Sequence, residues 1–187
     1  MPRAHDSKDL RLRVRPLQEE QRRRHVLVAF VHESHDNDAI AEEYIAGREL
    51  YVSILGSKRL EALPVRELVF KEVPPDEPRI ATYRAKWDEE YRKRWGLENR
   101  FAEDLDPALA REIVQTCKRI YHLLTIDGYA RIDLRVTPAN EIYFIEANPN
   151  PVLAEDEDFA QSALKGGLTY PQLIERIVRV GLQTVRW

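Results

Sequence analysis

Two stretches decide the fold of this chain: residues 128–133 (GYARID) and residues 143–151 (YFIEANPNP). Both alternate apolar and polar side chains, which is typical of β-strands that have one buried face. Between them, residues 137–140 (TPAN) carry the proline and asparagine of a turn. We therefore predict an antiparallel hairpin with residues 139–140 at its tip.

In this hairpin, Asp133 lies opposite Glu146 and Arg131 lies opposite Asn148. Directly opposite side chains on one face approach to about 5 Å, and two like charges there destabilise a sheet. A buried carboxylate pair with an amide beside it is explained if a hard cation lies between the carboxylates. Mg²⁺ prefers such oxygen ligands, and Mn²⁺ would fit them too. The alternative is a solvated hairpin with ordinary surface charges.

The composition predicts one globular domain that is soluble. The 187 residues include 43% hydrophobic and 33% charged side chains, with a net charge of −3. This charge favours neither nucleic acid nor a membrane as the main partner, and no segment approaches the ~20 apolar residues of a membrane span. Residues 1–16 are a basic leader that we expect to be poorly ordered, ahead of a folded domain at 17–187. A single cysteine, Cys117, fits a reducing cytoplasm.

Apolar periodicity predicts an α+β chain, with a mostly antiparallel sheet and helices packed on one face. The other predicted strands are residues 39–45, 49–55, one or two within 59–70, and 79–83. The predicted helices are residues 17–33, one capped by Asp106-Pro107, a short one before Gly166, and a last one that begins at a Thr169–Gln172 capping box. Their expected buried residues are Leu109, Ile113, Cys117, Ile120 and Leu124 in the second helix, and Leu173, Ile174, Ile177, Val178 and Leu182 in the last.

Two further segments suggest nucleotide binding. In residues 42–49 (EEYIAGRE), the carboxylate of Glu49 could accept hydrogen bonds from ribose hydroxyls, and the backbone at Tyr44 and Ile45 could pair with an adenine edge. Lys86 is a point charge suited to phosphate. The plain alternatives are a polar hairpin and a solvent-exposed lysine.

Arg131 shares a strand face with Asp133. Its guanidinium could stabilise charge that develops on a transferred phosphoryl group or a tetrahedral oxyanion. Alternatively, it forms an ion pair with Asp133 or Glu146.

In this order, the segments resemble the ATP-grasp ligases, particularly the D-alanine–D-alanine ligase-like branch, over about residues 38–182. The resemblance implies an ATP-grasp C-terminal subdomain that uses ATP and two Mg²⁺ ions. The implied ATP ligands are Glu42 and the backbone of Glu43, Tyr44 and Ile45 for adenine, Glu49 for ribose, and Lys86 for phosphate. Asp133 and Asn148 would each hold one ion, Glu146 would bridge both, and Arg131 would stabilise the transition state.

The implied activity is ATP-dependent formation of an amide from a carboxylate and an amine through an acyl phosphate. Residues 149–158 (PNPVLAEDED) depart from the family, which has a glycine at Val152 and a serine where this chain has an acidic loop. The acceptor is therefore an amino acid, a peptide or another amine. The family's N-terminal domains have no counterpart here, so a second chain could supply them, and a homodimer is compatible with the sequence. The alternative functions are an inactive remnant or subunit that binds nucleotide, Mg²⁺ or a partner chain, and an RNA-binding module.

Overall fold

The computed structural model describes residues 44–74, 79–81, 85 and 88–184. The strands are β1 (Arg48–Gly56), β2 (Glu61–Ala62), β3 (Arg66–Phe70), β4 (Leu97–Phe101), β5 (Gly128–Val136) and β6 (Ile142–Asn148). The helices are α1 (Glu89–Arg94), α2 (Pro107–Leu123), α3 (Asp158–Lys165) and α4 (Tyr170–Thr184). The predicted α+β class is confirmed.

The strands form one antiparallel sheet in the order β4-β3-β1-β5-β6, and the short β2 pairs with the end of β1. β1 and β5 pair along their full length, from Arg48 opposite Val136 to Gly56 opposite Gly128. β1 is buried at every position after its first residue, which is typical of a central strand covered on both faces.

The first face of the sheet packs against α2. Asp106 caps this helix, because its side chain accepts hydrogen bonds from the N–H groups of Ala108 and Leu109. The even-numbered residues of β1 and β5 meet the buried stripe of α2, which is Leu109, Ile113, Cys117 and Tyr121. The prediction that Leu124 completes this stripe is wrong. The helix ends at Leu123, so Leu124 lies beyond its last turn and is 49% exposed.

The second face packs against α3 and α4 at one end, so the structure extends the predicted one-sided arrangement to both faces. The residues of this second core are Leu55, Leu63, Phe159, Ala160, Ala163 and Leu173. The predicted capping box of α4 is present, since Thr169 and Gln172 exchange hydrogen bonds between side chain and backbone N–H. Val178 and Leu182 were expected in the core but are 55% and 66% exposed, because only the first half of α4 lies over the sheet residues that form this core.

The β5–β6 hairpin has the predicted register where it matters for the site, with Arg131 opposite Asn148 and Asp133 opposite Glu146. Its tip differs from the prediction. Beyond Asp133 the register moves by one residue, so Ile145 forms a β-bulge. The loop is residues 137–141 rather than a two-residue turn. Two-residue turns favour positive φ at one or both central residues, whereas here only Asn140 adopts one, at 65°.

Several other predictions are corrected or fall outside the described residues. Tyr44 and Ile45, from the strand predicted at residues 39–45, precede β1 and lie in no strand. Residues 79–81, from the strand predicted at residues 79–83, lie in no strand either. Tyr44 instead accepts a hydrogen bond from the Arg79 N–H at 3.2 Å, so both segments are used for contact outside the sheet. The predicted helix at 17–33 and the basic leader lie outside the described residues. The described helices include none with the length and apolar character that a bilayer span requires.

Candidate functional site

The second face of the sheet carries a row of charged side chains between the α3–α4 core and the start of β1. Strand alternation places Arg131 and Asp133 of β5 on this face, opposite Asn148 and Glu146 of β6. Asp133 is 4% exposed, as expected on an inner strand. Glu146 is exposed, which corrects the expectation of a buried carboxylate pair. The reason is that β6 is the edge strand among the described residues.

Arg131 pairs with Asp133 through two hydrogen bonds, from Nε to Oδ1 at 2.7 Å and from Nη2 to Oδ2 at 2.8 Å. The guanidinium also lies over the ring of Tyr51, with Cζ 4.7 Å from the ring centroid. Burial lowers the pKa of Arg131, but the hydrogen bonds and charge of Asp133, together with the charge of Asp158, outweigh it and raise that pKa above its ordinary value. The ion pair that the sequence left as an alternative is therefore present.

Asp158 is a functional candidate that sequence reasoning missed. It begins α3 and is 7% exposed, although the sequence predicted that it lies in an acidic loop at residues 155–158. Its Oδ1 accepts from Arg66 Nε at 2.9 Å, and both its oxygens accept from Asn99 Nδ2 at 3.0 and 2.9 Å. Arg131 Nη1 lies 3.9 Å from Oδ2.

Glu49 lies at the other end of the charged row and is held from two sides. Its Oε1 accepts from the Tyr51 hydroxyl at 2.8 Å, and its Oε2 accepts from Arg135 Nη2 at 2.9 Å. Burial, together with the charge and hydrogen bond of Glu49, raises the pKa of Tyr51 far above its ordinary value, so Tyr51 stays protonated and donates. Sequence reasoning predicted Glu49 but missed Arg135, whose other nitrogen donates to the carbonyls of Gly47 and Arg79.

The donor set of the hairpin fits a hard divalent cation. Asp133, Glu146 and Asn148 offer two carboxylates and one amide oxygen on one face, which is the ligand chemistry that Mg²⁺ prefers. Across the described part of the chain, no three His, Cys, Asp or Glu side chains cluster in a way that could hold a metal, so the amide oxygen is needed. Each oxygen of Asp133 accepts one hydrogen bond from Arg131, and Asn148 Oδ1 accepts from the Asn150 N–H at 3.0 Å. A divalent cation on Asp133 would lie beside the guanidinium, and the two positive charges would repel each other. A cation at this site therefore competes with Arg131.

The predicted nucleotide ligands are only partly described. Tyr44 and Ile45 are half-buried, and the Tyr44 ring lies 5.8 Å from Arg135 Cζ. This contact connects the residue expected near adenine to the one that holds Glu49. Glu42, Glu43 and Lys86 lie outside the described residues.

Comparison with known protein families identifies the family of this chain. The family model described as "D-ala D-ala ligase C-terminus" matches residues 18–179. The chain belongs to this family. Every residue predicted for the site, from Glu42 to Asn148, lies inside the matched range.

Individual D-alanine–D-alanine ligases agree with this assignment. The enzyme of Desulfotalea psychrophila is 30% identical over 165 residues, which cover 84% of this chain and 47% of that protein. The chain thus spans about half the length of such relatives. Solved structures share the fold: the Bacillus anthracis ligase complexed with ATP matches with a TM-score of 0.61 at 20% identity, covering 85% of this chain and 46% of that one. The Coxiella burnetii ligase matches with a TM-score of 0.65 at 20% identity, covering 90% and 41%.

One signal in the sequence could have indicated that Asp158 begins a helix. The acidic run 155–158 ends where an apolar helix begins, at Phe159-Ala160. An acid at the first helical position is favourable with the helix dipole. Nothing in the sequence indicates that Arg66 and Asn99, which are 92 and 59 residues away, approach it.

Proposed function

We propose that this chain is the ATP- and Mg²⁺-binding part of a carboxylate–amine ligase, which forms an amide bond through an acyl phosphate. The observation that carries the proposal is the hairpin register, which brings Arg131, Asp133, Glu146 and Asn148 together on one face. Membership of the ligase family supports it. The proposed setting is the cytoplasm, which is compatible with the single cysteine of the sequence.

Each side chain has a role that its chemistry supports. Asp133, Glu146 and Asn148 would hold the Mg²⁺ that the ligase reaction uses. Metal bound there would supply neutralisation of phosphate charge during phosphoryl transfer. Arg131 stabilises charge on the transferred group or on the tetrahedral oxyanion.

The nucleotide lies along the start of β1. Glu49 accepts hydrogen bonds from ribose hydroxyls, the segment of residues 42–45 contacts adenine, and Lys86 approaches the phosphates. Since Glu49 Oε1 and Oε2 already accept from Tyr51 and Arg135, its orientation is fixed before the ribose arrives. The remaining lone pairs of the carboxylate are what the ribose would use.

The proposed reaction has two steps. The γ-phosphoryl group of ATP passes to a carboxylate oxygen of the donor, and ADP leaves. An amine nitrogen then attacks the acyl carbon, the C–O bond to phosphate breaks, and the amine loses a proton. The relatives are named for D-alanine, but the departures at residues 149–158 extend the proposed acceptors to other amino acids, peptides or amines.

A second candidate is a subunit or remnant that binds nucleotide without catalysing ligation. The observation in its favour is the departure at residues 149–158 from the pattern of the ligases, where Val152 and an acidic loop replace a glycine and a serine. In the ligase proposal, the part of the relatives that residues 1–187 do not span would complete the active site.

Calorimetric titration of Mg²⁺-ATP tests the binding proposal. We expect saturable binding to the wild type and binding weakened at least about tenfold by Glu146→Gln, because a ligating carboxylate becomes a neutral amide. The matched control is Glu112→Gln, an exposed glutamate on α2, which packs on the opposite face. Equal affinities for all three proteins would contradict the metal assignment.

A phosphate-release assay distinguishes the two candidate functions. We expect residues 1–187 alone to release no phosphate from ATP in an amino-acid-dependent way, since they span about half the length of the ligase relatives. Addition of a polypeptide that corresponds to the other half of such a relative should produce release if this chain takes part in ligation. Failure of such a complex to release phosphate, with nucleotide bound, would favour the non-catalytic candidate.

A further inference from the structure

The proposed function gives no role to the buried carboxylate of Asp158. This carboxylate lies next to Arg131, whose charge the proposed function does use. Its side chain is 9% exposed, and that of Arg131 is 17% exposed. Arg131 thus has two carboxylates on one side of the sheet: Asp133 in bidentate contact, and Asp158 with Oδ2 at 3.9 Å from Nη1.

The oxygens of Asp158 are not equally used. Within the part of the chain that the structure describes, Oδ1 accepts from both Arg66 and Asn99, whereas Oδ2 accepts from Asn99 alone. A carboxylate oxygen has about two acceptor positions, so Oδ2 retains one on the side where Arg131 lies. Arg66 is itself fixed over the Phe101 ring, with Cζ 4.8 Å from its centroid, so the acceptor has a fixed position.

The pairing of Arg131 with Asp133 conflicts with cation binding. Both oxygens of Asp133 accept from the guanidinium, and a divalent cation at the same carboxylate would repel a neighbouring positive charge. The guanidinium cannot simply be left unpaired at a site this buried, because an uncompensated buried charge is strongly unfavourable. Leaving Asp133 therefore requires a second acceptor.

We propose that Asp158 is a positioning residue that receives the Arg131 guanidinium when a divalent cation displaces it from Asp133. This inference rests on the proposed metal site. The exchange keeps Arg131 paired in both states and moves it only between two carboxylates of one cluster. It also makes the position of Arg131 depend on metal loading, so that the guanidinium is released from Asp133 only when the ions are present.

A double-mutant cycle on cation affinity tests the exchange, with Mn²⁺ as the probe and water-proton relaxation as the readout. Arg131→Gln should tighten Mn²⁺ binding because it removes the competitor for Asp133. Asp158→Asn should weaken binding by about tenfold, the lower range for residues that orient metal ligands, and Asp158→Glu should restore it. In the double variant Arg131→Gln/Asp158→Asn, the Asp158 substitution should change affinity less than twofold, because no guanidinium needs a second acceptor.

The outcomes separate this inference from the proposed function. If Asp158→Asn weakens Mn²⁺ binding equally with and without Arg131, Asp158 acts only through its charge and the exchange is wrong. If no variant binds Mn²⁺, both the exchange and the proposed metal site are overturned. Should Asp158→Asn fail to fold, titration of the wild type with Mg²⁺ followed by NMR tests the exchange. The NMR signal of the Arg131 Nε–H group, which is assigned by its loss in Arg131→Gln, must shift saturably with Mg²⁺. A signal that does not move refutes the exchange.

Discussion

The buried pair of Glu49 and Arg135 gives the sharpest stability prediction. Their side chains are 6% and 7% exposed. Arg135→Leu removes the charged partner that Glu49 Oε2 contacts among the described residues, together with the donor to the Gly47 and Arg79 carbonyls. Breaking one side of a buried ion pair costs about 3–5 kcal/mol, because the remaining charge stays desolvated. We therefore expect Arg135→Leu to lose about that much free energy of unfolding.

Removing both charges should cost less than the upper part of that range, about 3 kcal/mol. In Glu49→Leu/Arg135→Leu no carboxylate is left without a partner, so the main losses are the hydrogen bonds to two carbonyls and to Tyr51, each worth about 1 kcal/mol. The double variant should therefore be more stable than Arg135→Leu alone. Such a strong departure from additivity is expected only for residues in direct contact.

Urea denaturation followed by circular dichroism measures these differences. The matched control is Arg179→Leu, which removes an arginine whose ion pair with Glu175 is exposed on α4 and should change stability by less than about 0.5 kcal/mol. The reasoning is refuted if Arg135→Leu costs less than about 1 kcal/mol, or if the double variant loses the sum of the two single losses.

Three further perturbations test local features of the fold. Gly56→Ala should abolish folding or cost several kcal/mol, because a Cβ would lie 2.1 Å from the Arg59 carbonyl oxygen at a φ of +128°. Gly128→Ala should cost only the conformational strain of about 1–2 kcal/mol, since its φ is +89° and no atom of the described residues lies within 4 Å of the added Cβ; equal thermal stabilities of the two variants would contradict this. Ser162→Ala should stabilise the protein or leave it unchanged, since Ser162 Oγ is buried and the described part of the chain offers it no hydrogen-bond partner; a lower melting temperature would show that the hydroxyl is satisfied. Cys117 should not react with a thiol reagent at pH 8 until the protein unfolds, because burial raises its pKa to about 12. Rapid reaction of the native protein would contradict its place on the buried face of α2.

Local sequence signals were sufficient where the chain's own periodicity specifies the structure. The cap at Asp106, the capping box at Thr169 and the strand register at Asp133 and Glu146 all follow from residues that are close in sequence. The register predicted for the part of the hairpin beyond Asp133 is wrong by one residue, because Ile145 forms a β-bulge and has no partner on β5. Periodicity alone does not reveal a bulge, since it changes which residues are paired without changing which residues are apolar.

The sequence by itself determined that this chain has a hairpin bearing Arg131, Asp133, Glu146 and Asn148, and the order of its motifs pointed to its family. Tertiary structure alone decided which of these charges are buried and what they contact. Glu146 is exposed because β6 lies at an edge of the described sheet, and Asp158 is buried because α3 packs it against side chains from β3 and β4. Burial and partnership depend on contacts between segments far apart in the chain, and spacing within one segment carries no information about them.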